Sequence, residues 1–446
     1  MKSVVIQISQ TRVVCGFSNQ DLPVLIVPSQ YLSYKCDESS ETDVKVFDKW
    51  EMVDRCEEKD AEIYQLYDKN GLPNDWDVMD AQWQYIFSRL GVKFEDYPVC
   101  VVLPTELNSA RRKRLVEQLL RYGIPMVQLL NEAVCNSLSQ GRPSGIVVDI
   151  GHTGVKVDVV IDGVLFKQYR KENKIGGAFL NWQICDQYLK LNSNTSTEVW
   201  KDAIEWLPNF KNIMVQVSPI ELDDNYEVAP HYQHMVSPMD STKNFLLHKK
   251  TVSFTNKQLY TIGELLFKPV INVAGNSDAD VEMTDVNNTN NTPATSNETE
   301  KNGHREKLVG VVGLIRACIQ SVLNGASAMS STGSAAGPSS AGTGSSNNQG
   351  NSNENSNIPS HSYTSEQLQS LLLTNILVTG STSNIQGLEQ RILNDVSVSL
   401  NDLTTVRPKI LFKQTKLDRN FQSWQSATTL CRLPLRESLH PWESIE

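Results

Sequence analysis

Gly145-Ile146-Val147-Val148-Asp149-Ile150-Gly151, followed by His152-Thr153-Gly154 and a second apolar run over 155–161, is the stretch on which the fold turns. The first run is apolar with no polar alternation, as in a strand covered on both faces. It ends in Asp-x-Gly, and a short turn leads directly into the second strand. A hairpin of this kind can present backbone N–H groups to phosphate. Asp and Gly are equally ordinary turn residues, so the motif alone leaves a plain hairpin open.

A second stretch, Asn375-Ile376-Leu377-Val378-Thr379-Gly380-Ser381-Thr382, has a related form: a strand runs into a small-residue turn ahead of a helix near Gly387. Strand, glycine turn and helix N-terminus together can cradle a nucleotide. Working outward, the apolar runs at 4–8, 99–103, 145–149, 155–161 and 375–379 read as strands alternating with helices, the pattern of a layered α/β fold. Asn74 or Asp75 can cap a helix that places Trp76, Met79, Trp83, Ile86 and Phe87 on one face; this is a packed core helix whose tryptophans need no functional explanation. The basic run Arg111-Arg112-Lys113-Arg114 has two readings, a nuclear-import signal or the solvated face of a helix that buries Leu115, Leu119 and Leu120; the second is preferred.

With 446 residues and 39% hydrophobic content the chain can fill two large lobes. A net charge of −10 argues against a surface that neutralises nucleic-acid phosphates. The opening MKSVVIQISQ is too short and mixed for a signal peptide, and no run approaches 18 apolar residues, so the expectation is a protein of the reducing interior without membrane contact. The eight cysteines (15, 36, 56, 100, 135, 185, 318, 431) show no C-x-x-C spacing and read as buried free thiols rather than zinc ligands or disulfides. Segment 274–307 is rich in Asn, Thr, Asp and Glu, segment 324–362 is almost wholly Ser, Gly, Asn and Ala, and neither contains an aromatic residue. Such compositions cannot offset the entropy of ordering, so both are expected to be disordered insertions, with the helical run 308–323 packed between them.

These blocks come in a telling order: CGFSNQDLPVLIVPS (15–29), NDWDVMDAQW (74–83), GRPSGIVVDIG (141–151), LLFKP (265–269) and NILVTGSTSNIQG (375–387). Together they resemble the actin family, over nearly the whole chain apart from the two insertions. The resemblance implies an actin-like ATPase fold, α/β, with two lobes that each hold a mixed sheet flanked by helices: 1–139 plus 422–446, and 140–421. Within the family, LLLTNILVTGSTSNIQGLEQRI (371–392), KNIMVQVS (211–218) and the Ser/Asn-rich insertion are similar to a fungal member of the SWI/SNF and RSC chromatin remodellers. That implies a nuclear structural subunit whose partners are the helical segment preceding the remodeller's ATPase motor, actin-related protein 9 and other remodeller subunits.

Departures from actin's pattern bear on chemistry. Actin's first phosphate loop carries Asp-x-Gly-Ser after its strand; here the stretch is Gln7-Ile8-Ser9-Gln10, and actin's phosphate-contacting lysine falls on Val14. The water-orienting glutamine falls on Glu132 and the second aspartate of the other loop on His152, while Asn212, Ser381 and Asn420 replace adenosine-side residues. Phosphoryl transfer depends on positioned metal and charge, so these losses imply that hydrolysis is gone and no cofactor is required. Weak residual ATP binding would run through Asp149, Gly151, Lys211, Gly380 and Thr382. Two other readings are a cycling or polymerising actin-like ATPase, which the retained Asp149 favours, and a sugar or acetate kinase, which leaves the actin blocks unexplained. The resemblance also places a partner-helix groove at Leu138, Gly141, Pro143, Val164, Leu430, Leu433 and Leu435; the alternative is that these side chains pack into their own lobe.

Because the two insertions lack apolar anchors, limited proteolysis is expected to cut first within 274–307 or 324–362 and to leave a folded core; a core that unfolds once both are removed would make them structural.

Overall fold

Val4–Ile8 alternates its side chains between two cores: Val4, Ile6 and Ile8 enter one and Val5 the other, which is why the strand is buried on both faces. It is the middle strand of a five-stranded sheet in the order Leu25–Pro28, Arg12–Phe17, Val4–Ile8, Val99–Leu103, Val127–Asn131. The first two junctions are antiparallel and the last two parallel. A second sheet runs Lys171–Asn173, Val155–Ile161, Gly145–Ile150, Ile376–Thr379, Ile410–Phe412 with the same sequence of junctions, and Val164–Leu165 pairs on the same edge as the first of these. The chain thus builds one sheet plan twice: a locally connected antiparallel meander extended by parallel strands that need helical crossovers.

The computed structural model describes residues 2–35, 43–55, 58, 60–191, 206–247, 250–272, 305–307, 309–332, 363–412, 416–433 and 442–444. The helix Trp76–Leu90 is capped by Asp75, whose carboxylate accepts from the N–H groups of Asp77 (2.9 Å) and Val78 (3.1 Å), and it stops at Gly91 in the left-handed region. Met79, Trp83, Ile86 and Phe87 are buried as read from the sequence. Trp76 is only half-buried and lies under the Arg114 guanidinium at 4.4 Å. The basic run lies on the helix Ser109–Arg121, where Arg112 pairs with Glu443 at 2.6 Å and Lys113 with Glu117 at 3.8 Å. Six cysteines, at 15, 100, 135, 185, 318 and 431, are free and buried; Cys36 and Cys56 lie outside the described residues.

The expected insertion boundaries need correction at their ends. Arg305–Lys307, assigned from composition to the first insertion, is a strand paired antiparallel with Val270–Asn272. The helix Val311–Thr332 buries Val311, Leu314, Ile315, Cys318, Ile319 and Val322, then continues past Asn324, where the second insertion was expected to begin. An anchored helix extends at little cost, since each further residue adds a bond without a new nucleus, and composition does not register that anchor. The remaining insertion residues, 274–304 and 333–362, lie outside the described residues. The division at 421/422 falls inside the helix Lys416–Cys431, and Phe421 already packs against the core shared with the first sheet.

One buried ion pair ties the second lobe together. Arg391 bonds Glu264 at 2.8 and 2.7 Å, with both side chains almost fully buried, and donates to the carbonyls of Ser218 and Ile220. It joins the helices Leu388–Ser399 and Asn256–Glu264. Removing one partner of such a pair strands the other, so Arg391→Ala is expected to lower unfolding stability by about 3–5 kcal/mol. A urea melt checks this: the midpoint should fall with its slope unchanged.

Candidate functional site

Two hairpins frame the site: the first pairs Val4–Ile8 with Arg12–Phe17, and the second, read above from the sequence, pairs Gly145–Ile150 with Val155–Ile161. Gln7 and Val14 are register partners in the first hairpin and share a face with Val5. On that face Gln7 Nε2 donates to Glu132 Oε1 at 3.0 Å, and the same oxygen accepts from Ser423 Oγ at 2.5 Å. Glu132 opens the helix Glu132–Ser139, whose Asn131 cap accepts from the Ala133 N–H, and Ser423 lies on the helix Lys416–Cys431. A further chain runs through Asn136 to Ser423 (3.1 Å) and Ser426 (3.2 Å). Val14, where the resemblance expects a lysine in actin, is buried with Trp424.

On the opposite wall, the second hairpin closes through Gly151 N to Gly154 O at 2.9 Å. The carbonyls of Gly151 and His152 accept from the N–H groups of Gly177 (3.0 Å) and Ala178 (2.7 Å), so the first amides of the helix Gly177–Leu191 are spent on the loop itself. Gly380 has a φ of +97°, and a Cβ there would lie 2.5 Å from Asp149 Oδ1, so only glycine lets the two loops meet. Thr382 Oγ1 donates to the Gly151 carbonyl at 2.8 Å and Lys211 Nζ to the Gly177 carbonyl at 3.3 Å. Asp149, Gly151, Lys211, Gly380 and Thr382, read as the residual nucleotide set, are therefore brought together.

Electrostatics separate this cleft from one that holds magnesium triphosphate. Burial, reinforced by the charge of Glu132, pushes the Asp149 carboxyl up to about 7. Burial, with Lys211 and Arg12 nearby, brings His152 down to about 4, leaving a neutral imidazole where the resemblance expects a carboxylate in actin. Burial lowers the Lys211 ammonium to about 8. The cavity lined by Pro104, Glu132, Asn136, Asp149, Lys156 and Asp158 measures about 10 Å³, space for about one water. A hard dication wants several anionic oxygens. Here one carboxylate is bonded by an amide and a hydroxyl, the other is only partly ionised at neutral pH, and the third position is an imidazole. The donor set departs from the one the resemblance implies for a magnesium–nucleotide complex.

Two like sheets, paired hairpins at the facing ends and a C-terminal helix returning to the first sheet form an actin-like fold, and the actin family model matches residues 1–326 and 338–439. The chain belongs to the actin family. It is 30% identical to Actin-related protein 7 of Saccharomyces cerevisiae, an alignment covering 100% of this chain and 95% of that protein. Identity to Actin-related protein 4 of the same yeast is 23%, over 94% and 89%. Actin-related protein 4 of Candida albicans matches at 30% over 38% of this chain and 35% of its own length.

The groove positions of this actin-family chain divide into two groups. Leu138 is half-buried against Ala133, Val134, Val147, Val160 and Leu165. Gly141 and Pro143 are exposed nearby, and the Pro143 carbonyl accepts from the Gly163 N–H at 2.7 Å, next to Val164, which is 50% exposed. Leu430 is half-buried against the core around Trp424, whereas Leu433 is 44% exposed. Leu435 lies outside the described residues. Val164 and Leu433 thus offer apolar surface, while Leu138 and Leu430 also serve their own cores.

Sequence reasoning missed Ser423, Arg12 and Gly177. Ser423 carries no local signal, since its partner Glu132 is far away in sequence. Arg12 lies over the Phe421 ring at 5.3 Å and close enough to act on His152; the alternation of its strand, two residues from Val14, could have placed it. Gly177, second of a Gly-Gly pair ahead of a helix, was legible as a close-approach site.

Asp149 yields a pH test. Its folded pKa is raised from 3.8 to about 7, so its contribution to stability is full below about pH 4 and is lost as pH rises toward 7. Asp149→Asn cannot ionise; it is expected to melt above wild type at pH 8 and to lose that advantage at pH 4. Paired thermal scans with equal shifts at both pH values would rule ionisation out as the cause.

Proposed function

We propose that this actin-family chain is a non-hydrolysing structural subunit of a SWI/SNF- or RSC-type chromatin-remodelling complex in the nucleus. The observation that carries the loss of chemistry is the Gln7–Glu132 hydrogen bond. Actin's pattern has a carboxylate and an amide at these positions; here the amide stands at 7 and donates to the carboxylate at 132, which also accepts from Ser423. With Val14 buried under Trp424, the first hairpin supplies no cation at that position and no metal-facing anion. No cofactor is needed for such a role, and any ATP bound would be held weakly by Asp149, Gly151, Lys211, Gly380 and Thr382.

Partnership follows from the resemblance and from surface chemistry. The similarity to Actin-related protein 7 over the whole chain supports the remodeller member of the family suggested by the sequence. An amphipathic helix from the segment preceding the motor would bury its apolar stripe on the groove between Val164 and Leu433, side by side with actin-related protein 9. A subunit that does not cycle can keep one shape and lose little binding energy to reorganisation. The net charge of −10 suits basic protein segments and leaves nucleic-acid contact to other subunits. The retained Asp149 favours the second reading, a cycling actin-like ATPase.

Co-expression with the motor's helical segment and actin-related protein 9 is expected to give a ternary complex in nucleotide-free size-exclusion chromatography, with no phosphate release from ATP and magnesium above blank. Elution of this chain alone, with the other two together, would refute the partnership. Sustained phosphate release abolished by Asp149→Ala would establish the ATPase instead.

A further inference from the structure

The lobes are also joined by a side-chain crossing beside the helix Glu132–Ser139. Arg170, in the second lobe, holds Asp158 of its own sheet through Nε–Oδ1 at 2.5 Å and Nη2–Oδ2 at 3.0 Å. Its remaining nitrogen, Nη1, donates to Thr105 Oγ1 at 2.7 Å. Thr105 follows Val99–Leu103 of the first sheet, so this bond crosses between lobes. The Arg170 and Asp158 side chains are 15% and 6% exposed, which places the crossing out of bulk water. Lys167 and Glu106 form a parallel crossing at 3.4 Å, but both are half-exposed and such pairs contribute little.

We propose that Arg170 is an interlobe clamp: anchored on Asp158, it grips Thr105 and holds the cleft at one opening whether or not a ligand is present. The bidentate pair fixes the guanidinium plane, so the third donor reaches Thr105 already oriented. Pro104 and Asp158 also line the one-water cavity beside Glu132 and Asp149, so the clamp and the Gln7–Glu132 bond close the same space from two sides. The clamp deepens the structural-subunit reading and draws its purpose from it, but the geometry of the crossing stands by itself.

Amide hydrogen exchange on the full chain without nucleotide tests the clamp. Thr105→Val removes only the acceptor and leaves Arg170 on Asp158; Thr105→Ser keeps the hydroxyl. Thr105→Val is expected to speed exchange about tenfold over 101–106 and 149–154, as loss of one charge-assisted bond would, with Thr105→Ser near wild type and Asn256–Glu264 unchanged. Wild-type rates in Thr105→Val, or acceleration spread equally over Asn256–Glu264, would overturn the proposal. Magnesium and ATP added to wild type should leave cleft exchange unchanged; strong new protection would also overturn it. Phosphate release in that sample would instead sink the non-hydrolysing reading and leave the Thr105 comparison standing.

Discussion

Trp424 has no exposed surface, and the seat of its indole sets the packing of the first hairpin against the C-terminal helix. The ring lies in the core made by Val5, Val14, Cys100 and Val102, and its N–H reaches the Val5 carbonyl at 3.0 Å. A Cβ on Gly16 would come within 2.8 Å of the indole, so the strand beneath is pressed close. A lysine at position 14 would have to pass its side chain through the space that the indole fills. The seat also fixes the C-terminal helix on the first sheet, and only because of that does Ser423 reach Glu132.

Several of the cleft's polar groups bond one another, while the Gln7 Oε1 is left without a hydrogen-bond partner. Glu132 accepts from an amide and a hydroxyl, Thr382 and Lys211 donate to backbone carbonyls of the facing loop and helix start, and Arg170 spans Asp158 and Thr105. Partly buried polar networks are costly when half-satisfied and rigid when complete.

How much of this could be read from residues alone varies with distance along the chain. Val4–Ile8, Val99–Leu103 and Val155–Ile161 were legible to the residue, because a buried strand between turn residues is a local pattern. Asp75 rather than Asn74 as the cap required coordinates, since either side chain suits the position. The ordered ends Arg305–Lys307 and 324–332 escaped a compositional reading because their order depends on a strand partner and on an anchored helix. The site was legible as positions but not as bonds: Gln7 and Glu132 both stood out as departures, and nothing in the string says that they touch.

Sequence by itself determined the α/β class, the two Gly-bearing loops, the family resemblance and the loss of the first-hairpin carboxylate and lysine, since each is carried by residue type and short-range order. Tertiary structure alone decided that Trp424 occupies the space over Val14 and that Glu132 is bonded from both Gln7 and Ser423. It alone decided that Arg170 crosses to Thr105. The physical reason is the same in each case: hydrogen bonds and close packing act over a few ångströms, and residues separated by tens or hundreds of positions come within that range only once both sheets and the helices between them have formed.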